Sequence, residues 1–396
     1  MKLLFIADGR SPTALNWISY FVDSGHEVHL ASVFPCQPDL DLASLSIIPI
    51  SFSSAAGETS QQPNGLKLKA KIMRFLSTPN IRGHLRHYLI PRSLPGAAAQ
   101  LRSLILDIQP DLVHAMRIPY EGMLAALACS EANLPREIPL VMSVWGNDFT
   151  LHAPATRKMT QLTRFALGYA DALHPDCHRD LRLAQEWGFA KEKPSMVLPG
   201  GGGVQADLFY VGDQDRDPIV INPRGMRTYV RNDIFFKAIP MILAEHPDAR
   251  FLCPNMAGET QVNKWVDEYN VGHAVELLPR QSRTQMGELF RQAQIVVSPS
   301  THDGTPNTIL EALACGAFPV AGDIESLREW IRHGENGLLV DPVNPQALAE
   351  AVIEGLSNPG LRLTAQKLNT RLIHERAEFK RVMGEAEDFY RSMVGP

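Results

Sequence analysis

The sequence predicts an α/β protein made of two Rossmann-like halves, and three observations carry that prediction. Short apolar runs alternate with amphipathic helical stretches almost throughout, as parallel strands covered on both faces require. The chain has 396 residues, too many for one ordinary core and suited to two domains of roughly 150–200 residues. A run of glycines, Gly200 to Gly203, interrupts the alternation, which then restarts.

Taken in order, Leu3–Ala7 is a first buried strand, because Asp8 and Gly9 end its apolar run well short of a signal-peptide core. Ala14–Ser24 is a helix, and Gly25 to Ala31 forms a turn and second strand. Asp111–His114 and Leu140–Val144 continue the sheet, with another strand expected at Met196–Leu198. Beyond the glycines, Ile219–Asn222, Ala249–Leu252, Val275–Leu278 and Ile295–Ser298 read as strands of a second sheet. The expected division is 1–205, 206–375 and a terminal segment 376–396 that carries a helix near Phe379–Met393. Two α/β halves joined near residue 205 place a cleft between them, a usual place for a ligand.

At 45% hydrophobic and 20% charged, the composition is that of a soluble globular protein. A net charge of -5 argues against a nucleic-acid binder. The five cysteines, Cys36, Cys129, Cys177, Cys253 and Cys315, have no metal-ligand spacing, which predicts reduced thiols in a cytoplasmic protein. No stretch approaches the roughly 20 apolar residues of a membrane span. One local departure stands out: Thr59 to Leu106 contains no Asp or Glu. Within it Lys67, Lys71 and Arg74 fall at helical spacing beside Leu66, Ile72, Phe75 and Leu76. A solvated face is slightly favoured there. Docking of residues 65–92 on anionic lipid at the inner face of a membrane, or a grip on an acidic acceptor, are the other readings.

The strongest chemical signal follows the strand Ile295–Ser298. Thr305 is placed to N-cap a helix, Pro306 to open it and Gly316 to close it. Backbone N–H groups between Gly304 and Thr308, with Asn307 in the first turn, form a phosphate site at the helix N-terminus. Asp303 lies just outside that end. Glu311 sits among apolar neighbours and needs hydrogen-bond donors, from ribose hydroxyls or a nearby Arg. After the strand Ile219–Asn222 come Arg224, Arg227 and Arg231, cations suited to phosphate. The possible Asp-x-Asp at Asp39–Asp41 falls in a peripheral loop. Asp213, Asp215 and Asp217 imitate a calcium loop, but Pro218 and Arg224 replace its Gly and Glu, which leaves a linker.

In the first half, Asp148 of Trp145-Gly146-Asn147-Asp148 either orients an acceptor or makes an Asx-turn or cap. His114 and Arg117 end another strand and point to the cleft edge, with a satisfied structural histidine as the alternative for His114. The loop from Gly9 to Thr13 offers backbone that can approach donor phosphates or the acceptor.

Ser298-Pro299-Ser300, Asp303 to Asn307, Glu311 to Gly316, Pro319-Val320 and Asn336 to Val340 together resemble the donor-binding signature of retaining GT-B glycosyltransferases of the family 4 type, the glycosyl transferases group 1. Gly25-His26-Glu27-Val28, Pro110 to His114, and Val197-Leu198-Pro199 with Phe209 extend the resemblance to the N-terminal half. It implies the GT-B fold: an acceptor-binding Rossmann-like domain and a nucleotide-sugar-binding one face a central cleft, and the C-terminal helix packs back on the first. The family's Glu-x7-Glu roles fall to Asp303 on the sugar and Glu311 on the ribose. Arg224 matches the family's diphosphate-binding Arg, and Arg231 stands in for its Lys, with Arg227 as a competitor. Where the family often carries a His, this chain resembles a Trp-Gly-Ser-Asp variant.

The implied reaction is retaining transfer of a hexosyl unit from a nucleoside diphosphate sugar, UDP favoured over GDP, without metal or cofactor. The acceptor is a saccharide or lipid-linked hydroxyl in polysaccharide or glycolipid assembly, and the leaving phosphate helps to deprotonate it. Two rivals are a GT-B nucleotide-sugar epimerase and a non-catalytic sugar-binding relative, the latter accounting for Asp303 and the missing His.

Overall fold

A computed structural model of the chain describes residues 1–51, 79–130, 138–213 and 216–395. The expected basic helix at 66–76 lies outside them. Two compact units emerge, Met1–Gly202 with Met383–Pro396, and Gly203–Val382.

The first unit holds β1 (Lys2–Ala7), α1 (Pro12–Asp23), β2 (Glu27–Ser32), β3 (Ser44–Ile47), α2 (Pro79–Ile108), β4 (Leu112–Ala115), α3 (Met123–Cys129), β5 (Leu140–Val144), α4 (Arg157–Tyr169), β6 (Ala172–Pro175) and α5 (His178–Trp187). The sheet is parallel, in the order β3-β2-β1-β4-β5-β6. Its central strands are buried along nearly their whole length, which explains why they read as unbroken apolar runs. The expected strand at Met196–Leu198 does not form. The segment instead lies along β6 with one bridge, Leu173 to Ser195, and Met196 and Leu198 donate to Leu173 O and Pro175 O at 3.0 and 3.2 Å.

The second unit contains β7 (Ile219–Ile221), α6 (Asn232–Glu245), β8 (Arg250–Cys253), α7 (Thr260–Glu268), β9 (Val275–Leu277), α8 (Arg283–Gln292), β10 (Ile295–Ser298), α9 (Asn307–Ala314), β11 (Phe318–Gly322), β12 (Leu338–Val340), α10 (Pro345–Ser357) and α11 (Pro359–Arg376). Its parallel order is β12-β11-β10-β7-β8-β9. Both sheets therefore have Rossmann topology, and in each the order reverses beside the unit's first strand.

Gly203 shows what the glycine run does. Its φ is +88°, and a Cβ there would collide with the carbonyl of Ala377. The close approach lets Val204 donate to Ala377 O at 2.7 Å while Phe379 donates to Val204 O at 2.9 Å. The chain then enters α12 (Phe379–Val394), whose residues from Met383 onward belong to the first unit.

Tyr390 of α12 is completely buried and joins a chain of buried polar groups. Trp17 Nε1 donates to its hydroxyl at 3.0 Å. The hydroxyl meets His114 Nδ1, His114 Nε2 meets Ser143 Oγ at 2.8 Å, Ser143 Oγ meets His174 Nδ1 at 3.0 Å, and His174 Nε2 reaches Leu198 O at 3.0 Å. An indole can only donate and a carbonyl can only accept, so both ends fix every proton between them. Tyr390 donates to His114, His114 to Ser143, Ser143 to His174, and His174 to Leu198. Both histidines are neutral in this scheme. Burial agrees, pushing His114 well below its ordinary value and His174 down to about 4.

Tyr390→Phe would strand the Trp17 N–H and the His114 acceptor in the core. It should cost roughly 1–3 kcal/mol per stranded group, read as a lower urea midpoint. Tyr88→Phe, at a 55% exposed position, should leave that midpoint unchanged.

Candidate functional site

Adjacent loops diverge where the strand order reverses, and a parallel sheet offers its ligand crevice there, at the carboxyl ends of the strands. In the second unit the position lies between β7 and β10, and the expected donor residues follow these two strands. The loops are joined by backbone: Arg231 N donates to Pro299 O at 3.0 Å and Thr301 N to Tyr229 O at 2.9 Å.

Arg224 ties the site together. Its Nη2 donates to Asp303 Oδ2 at 2.6 Å and its Nη1 to Thr308 Oγ1 at 3.2 Å. Its side chain is 10% exposed and that of Asp303 13%. Arg224 Nε is buried with no hydrogen-bond partner, a donor that an added acceptor oxygen would satisfy. Two expected residues, Asp303 and Thr308, thus meet around the guanidinium of a third, Arg224.

The neighbouring helix α9 begins one residue later than expected. Pro306 is the cap and Asn307 the first helical residue. Thr305 is not the cap, and its hydroxyl accepts from Trp330 Nε1 at 3.0 Å. Gly304, Thr305 and Pro306 are buried, and Asn307 and Thr308 half-buried. Ile309 donates to Pro306 O at 2.9 Å, whereas the amides of Asn307 and Thr308 precede the first intrahelical bond and remain suited to an anion. At the far end Gly316 takes φ +80° and donates to Leu313 O, while Ala317 donates to Ala312 O, a Schellman closure as expected.

Glu311 lies one turn further along. Burial pushes its carboxyl up to about 7, against the pull of Arg283. Arg283 Nη2 is 3.3 Å from Glu311 Oε1. Arg283 was not singled out from sequence, since it stands 28 positions away at the start of a different helix and nothing local marks it.

Arg231 and Arg227 do not join this group. Arg231 gives Nε and Nη2 to Asp233 at 2.8 and 2.6 Å, an acid in the first turn of α6, where the helix field favours a carboxylate. Arg227 is exposed and donates to Arg224 O and Tyr229 Oη.

In the first unit the corresponding reversal lies between β1 and β4. Gly9 follows β1, but its amide donates to Ser32 Oγ at 3.0 Å, which removes the expected phosphate contact from that N–H. A Cβ at Gly9 would overlap Cys36 Sγ, which explains the glycine. His114, expected at the cleft edge, is instead the fully buried link described above, placed there by the alternation of side chains along β4.

Asp148 is 1% exposed and binds protein on both oxygens. Its Oδ1 accepts from Arg117 Nε at 2.9 Å, and its Oδ2 from the amides of Trp145 at 3.1 Å and Ile118 at 3.4 Å. The expected acceptor contact gives way to an Asx-type clamp. Asn147 Oδ1 accepts a second Arg117 N–H at 2.7 Å. Arg117 has φ 131°, a conformation that costs a residue with a side chain about 1–3 kcal/mol, and the clamp holds it there. Trp145 Nε1 is buried without a partner, facing Gly200. Glu121 was not foreseen: it is buried, and desolvation pushes its carboxyl up to about 7.

A trio of possible metal ligands among the described residues, Asp176, Cys177 and Asp180, has its ligand atoms within 4.8 Å of one another. The guanidinium of Arg179 reaches Asp180 at 2.6 Å, so a cation already faces that carboxylate. No described helix is long and apolar enough to cross a membrane.

Two family models match the chain, glycosyl transferase 4-like domain over residues 8–200 and glycosyl transferases group 1 over 207–373. A D-inositol 3-phosphate glycosyltransferase of Thermobispora bispora is 29% identical over 157 residues, 37% of this chain and 36% of that protein. The chain spans less than half the length of the first curated relatives it matches. Among solved structures, sucrose-phosphate synthase of Thermosynechococcus elongatus aligns with a TM-score of 0.74 at 16% identity, over 99% of each chain. HepE of Anabaena in complex with UDP-glucose aligns with a TM-score of 0.72 at 14% identity, over 98% of this chain and 99% of that one. These structures share the two-domain fold.

The Asp148 clamp has a direct test. Asp148→Asn must turn its NH2 toward either the Arg117 guanidinium or the two backbone amides, donor against donor. Stability should fall by about 2 kcal/mol, measured as the shift in urea midpoint at constant slope.

Proposed function

The chain belongs to the GT-B glycosyltransferases of the family 4 type, and from that premise we propose that it transfers a hexosyl unit from a nucleoside diphosphate sugar to a saccharide or lipid-linked acceptor. The observation that carries the reading is Arg224, a nearly buried guanidinium whose Nε–H has no partner, beside the N-terminus of α9. Departure of a nucleoside diphosphate builds negative charge on its terminal phosphate, and fixed donors at that position stabilise it. Arg224 and the first-turn amides are such donors. In the absence of donor Arg224 neutralises Asp303, and the incoming diphosphate competes for the same guanidinium.

The transfer is a retaining one. The anomeric C–O bond to the diphosphate breaks, the acceptor oxygen bonds to that carbon from the same face, and the acceptor proton passes to the leaving phosphate oxygen. No protein nucleophile enters, and the guanidinium fills the charge-stabilising role without a metal. Asp303 meets the sugar and Glu311 the ribose. UDP is favoured over GDP, a choice supported by HepE, which binds UDP-glucose. Arg117, held by Asp148 and Asn147 at the carboxyl end of β4, is the acceptor-side cation.

Nucleotide release from a panel of UDP- and GDP-sugars, with and without saccharide acceptors, tests the proposal. Turnover is expected with a UDP-sugar, insensitive to EDTA, and the product anomer should match the donor's. Arg224→Ala should lower kcat about 100-fold or more. Tight nucleotide binding with no release from any sugar would favour the non-catalytic rival and contradict this reading.

A further inference from the structure

Glu311 lies on a helix whose other inward residues, Ile309, Leu310, Ala312, Leu313 and Ala314, are buried and apolar. A carboxylate in such surroundings needs a partner to stay charged and to keep one orientation. Among the described residues the group that faces it is Arg283, from α8. Strands β10 and β11 present no ionisable side chain, and α11, which also packs on α9, adds no charge that acts on Glu311. On its own helix Cys315 is a neutral thiol, pushed up to about 12 by burial.

Arg283 is itself anchored. Its guanidinium carbon stands 5.4 Å from the centre of the Phe209 ring, which packs against Phe290 of α8 at 6.3 Å between ring centres. The contact from Arg283 Nη2 is made to Glu311 Oε1, and a carboxylate has about four lone-pair directions.

We propose that Arg283 is a positioning residue of the donor site, holding the Glu311 carboxylate in one orientation through an ion pair so that its remaining lone pairs accept the ribose hydroxyls. The inference rests on the proposed placement of the ribose at Glu311. It adds a second cation with a role unlike that of Arg224: one meets the diphosphate and the other sets the charge of the ribose acceptor.

The consequence is a pH dependence of donor binding. Glu311 ionises at about 7, so donor affinity should rise as pH increases through that value. Removing Arg283 removes the attraction that opposes desolvation, so the carboxyl ionises at a still higher pH and the rise moves upward.

Calorimetric titration of the full chain with UDP-glucose and GDP-mannose from pH 5.5 to 9 tests this. Both probes are diphosphate diesters, whose charge stays constant over the range. Arg283→Gln is expected to move the midpoint up by about one pH unit and to weaken binding near neutrality by up to roughly tenfold. Arg283→Lys should restore most of the shift, and Glu311→Gln should flatten the profile and weaken binding. Thermal melts establish that each variant is folded. A midpoint unchanged in Arg283→Gln, with Glu311→Gln still flat and weak, would overturn the role of Arg283 alone. Wild-type affinity in Glu311→Gln, or no binding of either probe to the wild type, would overturn the ribose placement and the inference with it.

Discussion

The reversal of strand order beside the first strand of each sheet is the constraint on which the rest of this molecule depends. Parallel strands need helical crossovers, and right-handed crossovers on either side of a central strand must lie on opposite faces of the sheet. The loops leaving the two middle strands are therefore pulled apart. In the second unit those loops follow β7 and β10, and they carry Arg224 and the Asp303–Thr308 segment. Topology places cation, carboxylate and helix N-terminus together although about 80 residues separate them.

The first unit repeats the topology and puts it to a different use. A strained Arg117 leaves the reversal strand β4 and is clamped by Asp148, which follows β5, while His114 of β4 and His174 of β6 turn inward. His114 and His174 are committed to the proton-ordered chain that ends at Tyr390 and Leu198. That chain ties a C-terminal helix to the sheet through buried hydrogen bonds with no group left over. A buried polar network satisfied at every member specifies one packing arrangement, whereas a partly satisfied one destabilises the core.

Much of this was legible in the sequence, for reasons that can be named. Fully buried parallel strands such as Leu3–Ala7 and Ile295–Ser298 print as apolar runs, and Gly316 prints as a helix stop because its φ of +80° suits glycine. A family pattern with fixed spacing assigns Arg224 and Asp303 to one donor site, but not the ion pair between them. What escaped was contact between distant positions. Arg283 has no local signature, and Glu121 looks like any acid before a helix. Arg231 has the local pattern of a phosphate ligand, but Asp233, two residues on, accepts from its Nε and Nη2. His114 and Asp148 shared that difficulty: a sequence shows that a polar side chain ends a strand, but not whether it turns toward ligand or into the core.

In the proposed donor site, Arg224 and the α9 N-terminus hold the diphosphate and Glu311 stands one turn away. A crystal structure of the chain with UDP tests it most directly. Phosphate oxygens are expected within about 3 Å of Arg224 Nε and of the first-turn amides, with the Arg224–Asp303 ion pair opened and ribose hydroxyls on Glu311. A nucleotide bound elsewhere, with that ion pair intact, would contradict it.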